Sequence, residues 1–146
     1  MEAWLIEAID GATEEVLVAV QELSLPRIAR ALIAAQQRGV RVAVVLEHNY
    51  RRAWSEQQPS RLNPRERQRW HQLNRLADSD RDGTTTADEA FHGDAVALLQ
   101  TANIPLIDDT EDGSSGSGLM HHKFLVIDQT TVNYRQPQSH QFGPSR

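Results

Sequence analysis

The apolar positions of this chain fall into short blocks whose spacing alternates between helix-like and strand-like. Over residues 2–12, Leu5, Ile9 and Ala12 share one face at helical spacing, which predicts a short amphipathic helix. Residues 16–20 are an unbroken apolar run, as in a strand covered on both faces. Ser24 is placed to cap a helix, and Pro26 suits its first turn. Ile28, Ala31, Leu32 and Ala35 then form one helical stripe, which Gly39 ends. Residues 40–46 are the next apolar strand. Two such strands joined by one helix predict a parallel pair with a right-handed crossover.

After Leu46 the pattern loosens. Residues 47–63, rich in Gln, Ser and Arg, read as a loop. Residues 64–77 predict a helix with Trp70, Leu73 and Leu76 on its buried side. Residues 88–102 predict one more, using Phe91, Ala95, Leu98 and Leu99. A short strand over 104–107 is followed by a loop that is acidic at first and then rich in Gly and Ser. Residues 119–128 are a strong strand, and residues 129–146 are polar and aperiodic, an irregular tail. The order of elements predicts an α/β domain over residues 1–128, with a mixed sheet between helices.

Length supports one domain with a real core, 146 residues being too few for two. The absence of cysteine removes disulfides and thiolate metal sites. No apolar run reaches the roughly 20 residues of a membrane span. The first residues carry acids where a secretion signal carries bases, so a cytoplasmic location is the default expectation. The net charge of -5 is unevenly spread: residues 51–75 hold seven Arg and two Glu, residues 76–116 ten acids and one Arg. The basic block reads either as a solvated helix face or as a surface that meets phosphate. Fourteen of the fifteen basic residues are Arg; the single Lys is Lys123.

That lysine sits in a pattern with chemical meaning. His121, Lys123 and Asp128 have the spacing His-x-Lys-x4-Asp. Side chains alternate along a strand, so His121 and Lys123 project from one face and His122 from the other. An imidazole beside an ammonium is a poor structural pair, because the like charge disfavours the protonated ring. The same pair suits attack on a phosphodiester. Neutral His can be the nucleophile, and Lys can hold the phosphoryl oxygens as charge builds on them. Asp128 ends the strand, where hydrogen bonds or ion pairs can hold the segment. The alternative is a buried strand with an incidental His-His-Lys at its entry.

Residues 119–128 resemble the HKD motif of the phospholipase D superfamily, and residues 16–46 look like the first strand-helix-strand of that family. The resemblance implies an α/β sandwich and an active site that combines two such motifs. One His attacks phosphorus and forms a phosphohistidine; the other protonates the leaving alcohol and then activates water, with no metal in the chemistry. It implies that His121 is the nucleophile or the acid, that Lys123 binds phosphate, and that Asp128 is support. Phospholipid is the leading substrate class, and a phospholipase D-like nuclease working as a homodimer is the rival. The acidic net charge argues mildly against a dedicated nucleic-acid binder.

The chain departs from that family in having one motif and no Gly-Ser-x-Asn segment after it. The second motif is expected from a homodimer partner or from a missing C-terminal half. The change of character after Asp128 reads as a truncation or frameshift. The expectation is an incomplete enzyme with negligible turnover alone, poorly soluble or dimeric through the open edge of the strand at 124–127.

A second motif lies between the two later helices. Residues 78–89 match a twelve-residue EF-hand loop. Asp78, Asp80 and Asp82 take positions 1, 3 and 5, with Gly83 at the sharp turn; a carbonyl serves at Thr84, and Glu89 is the bidentate twelfth residue. Thr85 stands where paired EF-hands carry an aliphatic residue, and there is no second loop. A lone structural Ca2+ site is expected, against the plainer reading of an acidic surface turn. A calcium-binding module without catalysis is the rival from another functional class. Elsewhere, His48-Asn49-Tyr50 follows the second strand, at the carboxyl edge where α/β sheets build sites. Glu22 and Glu47 end the two strands and could orient a histidine. His71 and His92 read as helix-surface residues.

Overall fold

The computed structural model describes residues 2–108 and 124–133. Helix α1 (Glu2–Asp10) leads into strand β1 (Glu15–Val20), helix α2 (Pro26–Gln37) and strand β2 (Arg41–Leu46). Three 3-10 turns follow, at His48–Tyr50, Trp54–Glu56 and Pro59–Arg61. Helices α3 (Pro64–Ala77), α4 (Ala87–His92) and α5 (Ala95–Thr101) precede strands β3 (Leu106–Asp108), β4 (Phe124–Ile127) and β5 (Thr130–Asn133). The sheet has five strands in the order β3-β2-β1-β4-β5. β1 and β2 pair in parallel, as do β2 and β3, whereas β4 runs antiparallel to both β1 and β5. The expected α/β domain with a mixed sheet is present.

Alternation decides which side of the sheet faces the helices. Val16, Val18, Val42, Val44, Leu46 and Leu125 are buried and join Ile9, Ile28, Leu32 and Leu99 from the helices in one core. Leu32, Leu46 and Leu99 are fully enclosed. Burying one such side chain stabilises the fold by roughly 1.5–3 kcal/mol. Their neighbours Leu17, Ala43, Val45 and Val126 point the other way and are only half-buried.

Several expectations are corrected. Ser24 does not cap α2: the capping position is Leu25, which makes no side-chain cap, and Pro26 starts the helix. Leu76 is 75% exposed, because α3 packs through Trp70, Leu73 and Ala77, a stripe that Leu76 lies outside. The single helix expected over 88–102 breaks in two. Gly93 lies so close to α3 that a Cβ there would stand 2.6 Å from the Ala77 Cβ, and Asp94 then caps α5 through the Ala97 amide. The residues after Asp128 are not wholly irregular. Asp128 and Gln129 both adopt positive φ, 51° and 71°, and make a two-residue hairpin turn. Thr130, Thr131 and Val132 are β-branched and pair with β4, so the edge of β4 is covered.

Side chains from the helices tie down the long 47–63 segment, Arg67 among them through the Pro59 and Leu62 carbonyls. Asp94, fully buried, accepts the Ser55 amide at 2.8 Å and the Ser55 hydroxyl at 2.6 Å. The Trp70 indole donates to the Trp54 carbonyl at 3.0 Å, and the two rings meet edge to face. These ties turn an apolar-poor segment into one wall of a cleft.

Candidate functional site

Strand β4 starts at Phe124, the residue that follows Lys123 in the chain, and Phe124 lies opposite Ala19 near the carboxyl end of β1. At its far end Asp128 folds its carboxylate over the start of β1. It accepts the Thr13, Glu14 and Glu15 amides at 3.0, 2.6 and 3.0 Å and the Thr13 hydroxyl at 3.1 Å. The three amide donors, Thr13 first, hold its pKa down at about 2. His121 and Lys123 lie outside the described residues. Of the three HKD positions, the structure therefore places Asp128.

The carboxyl ends of β2 and β3 carry a second group of polar residues. Asp108, the last residue of β3, is 5% exposed, and its Oδ2 lies 2.6 Å from His48 Nδ1 and 3.8 Å from the Arg51 guanidinium. A buried carboxylate needs such partners, because without them its desolvation is costly. These residues border a cleft of about 900 Å³ between the 3-10 turns, α5 and β3. Among the described residues, Glu22 pairs with Arg69, whose guanidinium also lies 5.2 Å from the Tyr50 ring, and Glu47 accepts from Asn49. His71 and His92 are exposed on their helices. Asp108 escaped the sequence reading because it looked like the first acid of a flexible loop. Its one legible signal was an acid ending an apolar strand.

In the loop at 78–89, Asp78, Asp80 and Asp82 each offer a carboxylate oxygen within 4.8 Å of the others. A side-chain hydrogen bond with Asp78 raises the Asp80 pKa, desolvation adding to it. The Asp82 and Gly83 amides donate to Asp78, and the Thr84 amide donates to Asp82. Gly83, at φ +87°, makes the turn. Glu89 stands apart from the three aspartates. Its carboxylate accepts from the Thr86, Ser79 and Asp80 amides and the Ser79 hydroxyl, and the Thr86 amide leads in holding its pKa at about 2. Thr86 and Glu89 form a reciprocal capping box on α4, a Thr-x-x-Glu signal present in the sequence beside the calcium pattern.

Residues 5–134 match the family model described as cardiolipin synthase, PLD-like domain, and the chain belongs to that family. Membership places it in the phospholipase D superfamily. Among solved structures it is similar to the phospholipase D family member Nuc from Salmonella typhimurium, at 19% identity and a TM-score of 0.48. That match covers 87% of this chain and 57% of Nuc, so the chain spans little more than half of that structure's length. No curated protein matches it significantly. Among the described residues, no helix is long and apolar enough to cross a membrane.

Proposed function

We propose that this chain supplies one half of a phospholipase D-type active site, which hydrolyses the phosphodiester of a phospholipid through a phosphohistidine. The register of β4 carries this reading: Phe124 sits at the carboxyl edge of β1, one residue after Lys123, and Asp128 anchors the other end. His121 Nε2 attacks phosphorus as the bond to the alcohol oxygen breaks, while the Lys123 ammonium neutralises the non-bridging oxygens. The histidine of the second motif protonates the leaving alcohol oxygen and then takes a proton from the water that cleaves the P–N bond. The second motif comes from a homodimer partner or from a C-terminal half. Nucleic acid is the rival substrate, which the net charge of -5 disfavours.

In an active form that supplies both motifs, the test compares His121→Ala with His122→Ala on bis(p-nitrophenyl) phosphate. Loss of the nucleophile should lower turnover by roughly 10³-fold or more, whereas His122→Ala should act through packing and change it little. Equal losses from both substitutions overturn the assignment. Binding to phospholipid vesicles should vary little with salt, and a steep salt dependence on single-stranded DNA would favour the nuclease.

We further propose that residues 78–89 hold a structural calcium ion. The support is the convergence of three carboxylates, each offering an oxygen within 4.8 Å of the others. Calcium binding with no phosphodiesterase activity in any form would leave only a binding module.

A further inference from the structure

The arginines on and around α3 divide into two groups. Arg67 donates to the Pro59 and Leu62 carbonyls, and Arg69 pairs with Glu22 just beyond the end of β1. Arg61, Arg65 and Arg75 are exposed, and none of them has an ion pair among the described residues. At 3.6 residues per turn, Arg65, Gln68, Gln72, Arg75 and Leu76 fall within about 100° of one another around the helix. All five are exposed, and this sector holds no acid. Glu66 lies to one side, in a capping box with Asn63. Leu76 is 75% exposed, more than Trp4 and Leu25, the other large apolar side chains that stand in solvent among the described residues.

Arginines flanking a leucine on an acid-free helix face suit the headgroup region of an anionic bilayer. Guanidinium groups meet lipid phosphates there, while their stems and the leucine reach the acyl boundary. A nucleic-acid backbone would meet the arginines and leave the leucine in water. The acidic residues Asp78, Asp80 and Asp82 follow the helix and oppose an anionic surface at that end. Arg65 precedes Asp78 by 13 residues. That is roughly 20 Å along the helix axis, against a screening length of about 8 Å. The face also has a fixed place relative to the proposed chemistry. The Arg69–Glu22 pair ties α3 to the carboxyl end of β1, and Phe124 starts β4 at that same end, where it borders one hollow with Glu22.

We propose that the outward face of α3 docks on a bilayer of anionic phospholipid, with Arg61, Arg65 and Arg75 on lipid phosphates and Leu76 inserted among the headgroups. Docking there brings the carboxyl edge of β1 to the lipid surface. The proposal rests on the phospholipid reading for its occupant.

The test is co-sedimentation of the full chain with vesicles of phosphatidylglycerol or of phosphatidylcholine, in chelator so that calcium does not bridge protein and lipid. The parent should partition at least about tenfold more strongly onto phosphatidylglycerol. Arg65→Gln and Arg75→Gln should each weaken that partition about fivefold, and Leu76→Ser should weaken it by a similar factor. Trp4→Ser, at an exposed apolar residue on α1, should leave it unchanged. Circular dichroism checks that each variant folds. Equal partition of the parent onto both lipids overturns the proposal, as does a preference that survives the three substitutions on α3. Binding to single-stranded DNA that falls with the arginines and ignores Leu76→Ser assigns the face to nucleic acid and overturns it too. Hydrolysis of bis(p-nitrophenyl) phosphate, a soluble diester, by an active form keeps the two readings apart, because it should survive the α3 substitutions. If docking holds while that hydrolysis ignores His121→Ala, the nucleophile assignment fails and the docking face stands. If docking fails while hydrolysis depends on His121, the docking face alone is overturned.

Discussion

At the scale of single residues, Asp128 shows how one side chain joins two distant parts of the chain. It caps the start of β1 across more than a hundred positions of sequence, taking three consecutive amides that would otherwise need water. Its folded pKa of about 2 lies below the ordinary aspartate value of 3.8, so the ionised form is favoured by folding. The contribution is fully present above the unfolded pKa and fades as pH falls through the folded one. Asp128→Ala should therefore lower the denaturant midpoint at pH 7, and the gap from the parent should narrow between about pH 4 and pH 2. A gap that stays constant across that range would show that the carboxylate's charge contributes nothing. The HKD spacing was legible around this residue, but its partners Thr13 to Glu15 were not, since nothing local marks which turn a distant carboxylate will cap.

The loop at 78–89 is where the scale of elements decides. Glu89 serves α4 as the partner of Thr86 in a capping box, and the calcium reading asks it also to turn towards the aspartates. Gln keeps one acceptor oxygen for the cap, but it loses the second, which Ser79 and Asp80 use, and it cannot supply a bidentate carboxylate. Glu89→Gln should thus melt somewhat below the parent in chelator, and the gap should widen once calcium is added, because a ligand stabilises in proportion to its occupancy. No heat and no thermal shift on adding calcium to the parent would reduce the loop to an acidic turn. The helix that follows illustrates the limits of periodicity. Phe91, Ala95, Leu98 and Leu99 keep one helical stripe, yet the backbone breaks between them because Gly93 must pass Ala77 without a side chain and Asp94 must cap α5. The stripe was visible in the sequence, but the close approach of α3 was not.

For the molecule as a whole, one HKD motif per chain makes association part of the proposed chemistry. If a homodimer completes the site, specific turnover should rise with chain concentration and track the dimer fraction seen by sedimentation velocity. Turnover per chain that is independent of concentration in a monomer would exclude completion by a second copy. The strand β5 bears on this, because it covers the edge of β4 that the polar composition of the last residues had suggested was open. Dimerisation therefore does not need that edge.

Hydrophobic periodicity by itself determined the β-α-β unit, the helical stripe of α2 and the α/β class, because burial on a sheet or helix face leaves a local signature. Local spacing likewise determined the candidate chemistry at 119–128 and the carboxylates at 78–89. Only the tertiary structure decided that β4 runs antiparallel beside β1, that Asp128 reaches Thr13, and that Asp108 holds His48 across 60 positions. Those pairings depend on which elements meet in space. An acid at the end of a strand looks the same in sequence whether it meets water or, as Asp108 does, an imidazole at the edge of a cleft.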